Sequence, residues 1–152
     1  MQKSLLTLGI SYLLFKAFGK VGDNIAGKLI FGDLAINDVD IYIYGAVLEM
    51  TLPIKNNNEV SLPFDGLDGF LEYKNMNFAS VKVLESVVIK GHEISVVQIK
   101  STVYWTTVLS LGSAILAEIK ALIGKKSFNG EVYLKGVAFS GQLKYNLNNR
   151  IM

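Results

Sequence analysis

The chain holds one histidine and no cysteine, so any chemistry must be assembled from carboxylates, hydroxyls, lysines and His92. Without cysteine there is no thiolate nucleophile, redox pair, acylated cysteine or cysteine-based zinc site. His92 follows Gly91 in a short break between two runs of β-branched residues. A catalytic histidine needs a nucleophile or carboxylate within hydrogen-bond reach, and neither a Gly-x-Ser-x-Gly elbow nor a His-Glu-x-x-His pair is present. His92 therefore reads as a solvated turn residue. Asp65 and Asp68 stand beside glycines in Asp65-Gly66-Leu67-Asp68-Gly69. A calcium loop needs several more oxygen ligands at set spacing and a closing bidentate glutamate, so these aspartates read as turn formers. Gly19-x-x-Gly22 has no preceding strand, and Gly27-Lys28 runs into Leu29 rather than Ser or Thr, which excludes a phosphate loop. With no paired carboxylates, triad or ligand cluster, the expectation is a protein that is not an enzyme. It needs no cofactor, and no small-molecule substrate is evident.

The function must then reside in surfaces and in whatever positions them. A length of 152 residues is one domain's worth of chain and needs no disulfide or metal staple. The formal charge is +2, and residues 1–36 carry all of it, through Lys3, Lys16, Lys20 and Lys28 against Asp23 and Asp33. A nucleic-acid reader concentrates Lys and Arg on one face, whereas the only arginine here is Arg150. Nucleic acid is not expected as a partner.

The first segment is the greasiest. Leu5, Leu6, Leu8, Ile10, Leu13, Leu14, Phe15 and Phe18, with Tyr12 and Ala17 among them, form an apolar stretch interrupted by Lys16. As a helix, Leu5 to Phe18 spans about 21 Å, short of the ~30 Å hydrocarbon core unless Lys16 and Lys20 snorkel. Three readings stay open: a membrane anchor, a helix docked into a neighbouring subunit, and a signal peptide whose small-x-small cleavage site is poor. Gly19, Gly22, Gly27 and Gly32 then break any long helix and suggest a neck. The expected boundary divides an anchor or docking region, residues 1–33, from a body, residues 34–152.

In the body the hydrophobic period is two. Val39, Ile41 and Ile43 alternate with Asp40, Tyr42 and Tyr44, and Gly45 allows a bend. Ala46, Leu48, Met50, Leu52 and Ile54 then fall on one face of a strand, with Val47, Glu49, Thr51 and Lys55 on the other. Asn56-Asn57-Asn58 supplies a turn, and Leu62-Pro63-Phe64 reads as an edge segment because proline cannot donate to a central ladder. Residues 70–74 and 78–84 form a hairpin around Asn75-Met76-Asn77. Further strands follow around Val87-Val88-Ile89, from Ile94 to Val103, from Phe128 to Phe139 and from Leu143 to Leu147.

Only once does the period change. Trp105, Val108, Leu109, Gly112, Ile115, Leu116, Ile119, Leu122 and Ile123 recur at steps of three and four. That spacing predicts one amphipathic helix with Glu118 and Lys120 on its polar side, stopped at Gly124-Lys125-Lys126.

The order of these elements resembles the late embryogenesis abundant type 2 family, or WHy domain, over roughly residues 34–151. The likeness is carried by Met50-Thr51-Leu52-Pro53-Ile54-Lys55-Asn56-Asn57-Asn58, Leu62-Pro63-Phe64, Leu71-Glu72-Tyr73, the late helix, and Gly130-Glu131-Val132-Tyr133-Leu134-Lys135-Gly136. Asn57 stands where the family usually has proline. The resemblance implies a mainly β fold, an antiparallel Greek-key β-sandwich of about seven strands with one amphipathic helix near the C-terminus, often behind an N-terminal hydrophobic helix. It implies no catalytic residues, and an association with desiccation and stress protection. The expectation is a binding or stress-protective module, membrane-associated or docked in an assembly through its first segment. Membrane lipid or neighbouring protein subunits would be its partners. The alternative is a structural subunit within a membrane-containing virion or envelope complex.

Overall fold

The structure, a computed structural model, describes residues 28–140 and 143–151. Its elements in chain order are β1 (Leu29–Phe31), β2 (Ala35–Ile41), β3 (Gly45–Asn56), β4 (Leu62–Phe64), β5 (Gly66–Tyr73), β6 (Met76–Val83), β7 (Val87–Ile89), β8 (Ile94–Tyr104), α1 (Trp105–Leu111), α2 (Ser113–Lys125), β9 (Val132–Ser140) and β10 (Leu143–Arg150). The chain is mainly β and antiparallel, as the alternation predicts. Among the described residues there are ten strands, where the resemblance implies about seven; the short β4 and β7 fall on segments expected from the sequence, whereas β1 lies in the stretch read as a neck. The expected N-terminal helix lies outside the described residues.

Eight strands form one sheet in the order β1-β3-β8-β6-β5-β9-β10, with β2 also paired to β3. β1 and β2 share one edge of β3: β1 lies opposite residues 54–56 and β2 opposite 46–51. Pro53 explains the gap between them. Its carbonyl accepts from the Gly32 N–H at 2.8 Å, so its backbone polar side faces this edge, where a proline has no N–H to offer in return. The chain leaves the ladder here, and the Leu34 N–H donates to the Arg150 carbonyl at 3.1 Å. The Leu34–Ile151 bridge nearly closes the sheet on itself. Seven positions of alternating direction leave the first and last pointing the same way, which is why this bridge is parallel while every ladder is antiparallel.

The curled sheet encloses the core. Ala46, Leu48, Met50, Leu52 and Ile54 are all buried, as their spacing requires, and meet Val97, Ile99 and Val103 of β8 and Leu71, Val132 and Leu134 across the interior. Full burial of each such aliphatic side chain contributes about 1.5–3 kcal/mol. Gly136 makes the curl possible beneath β5: its φ is 153°, and a Cβ there would lie 2.3 Å from the Asp68 carbonyl oxygen.

The expected single helix is two. Gly112, with φ 108° and ψ −173°, breaks it between α1 and α2. After the break α2 aims Ile115, Ile119 and Leu122 into the end of the sheet, while Leu109 on α1 is 71% exposed. Glu118, expected on the polar side, is buried. Its carboxylate accepts from the Asn129 N–H at 2.9 Å and the Gly130 N–H at 3.1 Å, so it organises the loop entering β9 instead of facing water. The helices link the end of β8 to the start of β9 and so cover one end of the sheet. The β4–β7 ribbon contributes Leu62, Phe64 and Ile89 to the core at the other.

Candidate functional site

Cross-strand register puts the outward residues of β1, β2, β3 and β8 on one continuous face. Its middle is polar, with Glu49 directly opposite Lys100 and Gln98 opposite Thr51. Its two ends are apolar and different in kind.

At the β2–β3 turn the end is aromatic. Tyr42 and Gly45 exchange both backbone hydrogen bonds, at 2.8 and 3.3 Å, so the strand read as residues 39–44 stops at Ile41 and turns tightly. Ile43 at the apex is 100% exposed. Tyr42 and Tyr44 stack at 5.3 Å with planes 5° apart, and Tyr104 adds a third ring 6.0 Å from Tyr44. The Trp105 indole N–H donates to the Tyr42 carbonyl at 3.1 Å, and the Trp105 N–H to the Tyr44 carbonyl at the same distance, tying the turn to the start of α1. The rings are thus held in place before anything touches them. Tyrosine offers large amphipathic contact area at low entropic cost, the property that enriches it in binding surfaces.

The opposite end is locked by asparagine. Asn56 is fully buried; its Nδ2 donates to the Val60 carbonyl at 2.9 Å and the Ile89 carbonyl at 3.0 Å, and its Oδ1 accepts from the Asn58 N–H and Asn58 Nδ2, each at 2.9 Å. The asparagine run expected to be a surface turn is half interior: Asn56 and Asn58 hold the loop against β7, and only Asn57 and Glu59 face solvent. Tyr145 lies nearby, its ring 5.7 Å from that of Phe31. Burial pushes its phenol up to about 12.

His92 is exposed in a left-handed turn, φ 59°, its N–H donating to the Asn58 carbonyl at 3.2 Å. Asp65 follows β4 and Asp68 lies exposed in β5. Among the described residues no three His, Cys, Asp or Glu side chains gather as metal ligands would. A shallow polar depression of about 640 Å³ lies between Glu72, Lys74, Glu131, Tyr133, Lys135 and Asn148. Within it Lys135 Nζ meets Glu72 Oε1 at 2.7 Å, and the Tyr133 hydroxyl donates to Glu131 Oε2 at 3.0 Å, which raises the phenol above its usual value.

The apolar residues Leu5, Leu6, Leu8, Ile10, Leu13, Leu14, Phe15 and Phe18 lie outside the described residues. No helix among the described residues is long and apolar enough to cross a membrane. The aromatic end went unnoticed in the sequence because Tyr42 and Tyr44 look like alternating strand residues. The available signal was Gly45 directly after them.

No protein-family model and no curated protein matches the chain. Among solved structures it is similar to a crystal structure of a protein from Archaeoglobus fulgidus, at TM-score 0.51 and 10% identity, over 81% of this chain and 88% of that one. A FixG-related protein from Vibrio parahaemolyticus aligns over 82% of this chain and 95% of its own, at TM-score 0.39 and 7% identity. The first likeness is one of fold; the class defined so far is a mainly β domain with a nearly closed antiparallel sheet.

Proposed function

We propose that the chain is a non-enzymatic binding module, held at a membrane or in a larger assembly by its first segment, which presents the Tyr42–Tyr44 turn to a protein partner. The observation that carries this reading is the separation of the two ends. The chain enters the sheet at Lys28, beside Asn57, whereas the tyrosine turn lies beyond the far end of β3, a strand about 36 Å long at ~3.3 Å per residue. A tether at one end leaves the other free to reach outward. Apolar and aromatic groups exposed on a pre-ordered turn are a sound basis for an interface anchor.

Kinship with the late embryogenesis abundant type 2 proteins, and the Greek-key sandwich that goes with it, belong to the same proposal. It is supported by the Leu62-Pro63-Phe64 segment and the Leu71-Glu72-Tyr73 strand. Stress protection would then be exerted on client proteins through the tyrosine turn.

A photo-crosslinker at Ile43 in the full chain tests the reading, with the same group at Glu49 as a control on the polar middle of the face. The expected result is one recurrent protein adduct from position 43 and none from 49. Fixed-stoichiometry adducts to shell or envelope subunits would instead favour the virion component, and equal labelling from both positions would discard the turn as a binding surface.

A further inference from the structure

Ile30 and Ile94 both lie opposite Lys55, and Val96 lies opposite Pro53, so three strands contribute two adjoining rows of outward residues. Ile30 is 53%, Ile94 64% and Val96 53% exposed, although their inward neighbours Ile54 and Val97 are fully buried. This aliphatic face is not consumed by the core, and Gln98 and Lys100 bound it on the side of the polar middle. It begins two residues after Lys28, where the chain emerges from the undescribed first segment.

We infer that this face, Ile30, Pro53, Ile94 and Val96, rests on a lipid bilayer surface, so that the sheet stands with its asparagine end at the membrane and its tyrosine turn pointing away. The inference rests on reading residues 5–18 as a membrane anchor. Nine residues separate Phe18 from Lys28. Even fully extended, that neck reaches no more than about 35 Å, which keeps this end of the sheet near the anchor. Exposed Lys55 stands within the first row, between Ile30 and Ile94, and exposed Lys28 lies two residues before Ile30. Their alkyl stems can lie along apolar surface while the ammonium groups meet lipid phosphates. Lipid is therefore favoured as occupant over a partner protein: the surface is aliphatic with Lys55 rising from its middle and Lys28 beside it, and it is continuous with the point of attachment.

The chain's only tryptophan, Trp105, lies at the far end and serves as the built-in distal reporter. The test adds Ile94→Trp to the full chain on vesicles of phosphatidylcholine and phosphatidylserine carrying brominated acyl chains. The introduced indole is expected to shift to the blue and be quenched by the brominated lipid, while the native chain's Trp105 emission is unchanged. Sedimentation with vesicles without quenching at position 94 would overturn the inference and leave the anchor standing. Failure to sediment would overturn both. A blue shift that grows with protein concentration in the absence of vesicles would mean that a second copy covers the face, and would overturn the inference as well.

Discussion

The same strands, β3 and β8, end in two opposite ways. At Asn56 the polar groups are turned inward: one amide satisfies two carbonyls, a backbone N–H and a neighbouring amide, and the outward side chains are aliphatic. At Tyr42–Tyr44 the backbone closes on itself with two hydrogen bonds, and the rings are left outside. Order at the first end is bound up with the stability of the fold, because buried polar groups without partners are costly. Order at the second end comes from backbone hydrogen bonds within the turn and from Trp105, none of which uses the tyrosine rings or Ile43, so these side chains are free to serve a surface. The contrast teaches where substitutions should damage folding and where they should damage only recognition.

The strongest way to sharpen that contrast is Asn56→Ala, which removes the donor to the buried Ile89 carbonyl and the part-buried Val60 carbonyl and the amide oxygen that accepts from Asn58. Urea unfolding should show a loss of about 3 kcal/mol or more; a loss under ~1 kcal/mol would mean that water replaces the amide, and that this end is no more locked than the other.

Tyr145 offers a second probe of the asparagine end. Its folded-state value of about 12 lies above the unfolded value of 10.0, so the stability it supports is intact below pH 10 and is lost as pH rises toward 12. Stability should fall by roughly 2 kcal/mol across that window, and Tyr145→Phe should flatten this part of the profile.

At the helical end, Gly112→Ala meets open space but must adopt φ 108°. The expected cost is about 1–2 kcal/mol, from backbone strain alone. Thermal unfolding would point to a different conformation at this break if Gly112→Ala cost less than about 0.5 kcal/mol, since φ 108° with ψ −173° is essentially open to glycine alone. The smallest effect on folding is expected from Ile43→Ser, within about 0.5 kcal/mol of the parent because the side chain is fully exposed. The same change should abolish the position-specific adducts. A large loss of stability from it would erase the distinction between the ends.

Much of the sheet could be read from the residues alone. Leu48, Leu52 and Val97 announce their burial through spacing, and Pro63 marks a segment outside the main ladder. Pro53 was harder. Its place between two neighbours made sense only once the far strand was seen to break opposite its missing N–H. Glu118 gave no hint of burial, since its partners, the N–H groups of Asn129 and Gly130, come from the loop beyond the helix.

What the sequence determined by itself was the mainly β character, the inward and outward faces and the apolar first segment. Each follows from periodicity or residue type, which act over a few neighbours. Only the tertiary structure decided that the sheet nearly closes through Leu34 and Ile151, that the helix breaks, that Asn56 becomes a buried hub and that three tyrosines meet. The reason is register: which residues face each other across strands depends on pairings such as Gly45 with Tyr104, far apart in the chain, and no local pattern encodes them.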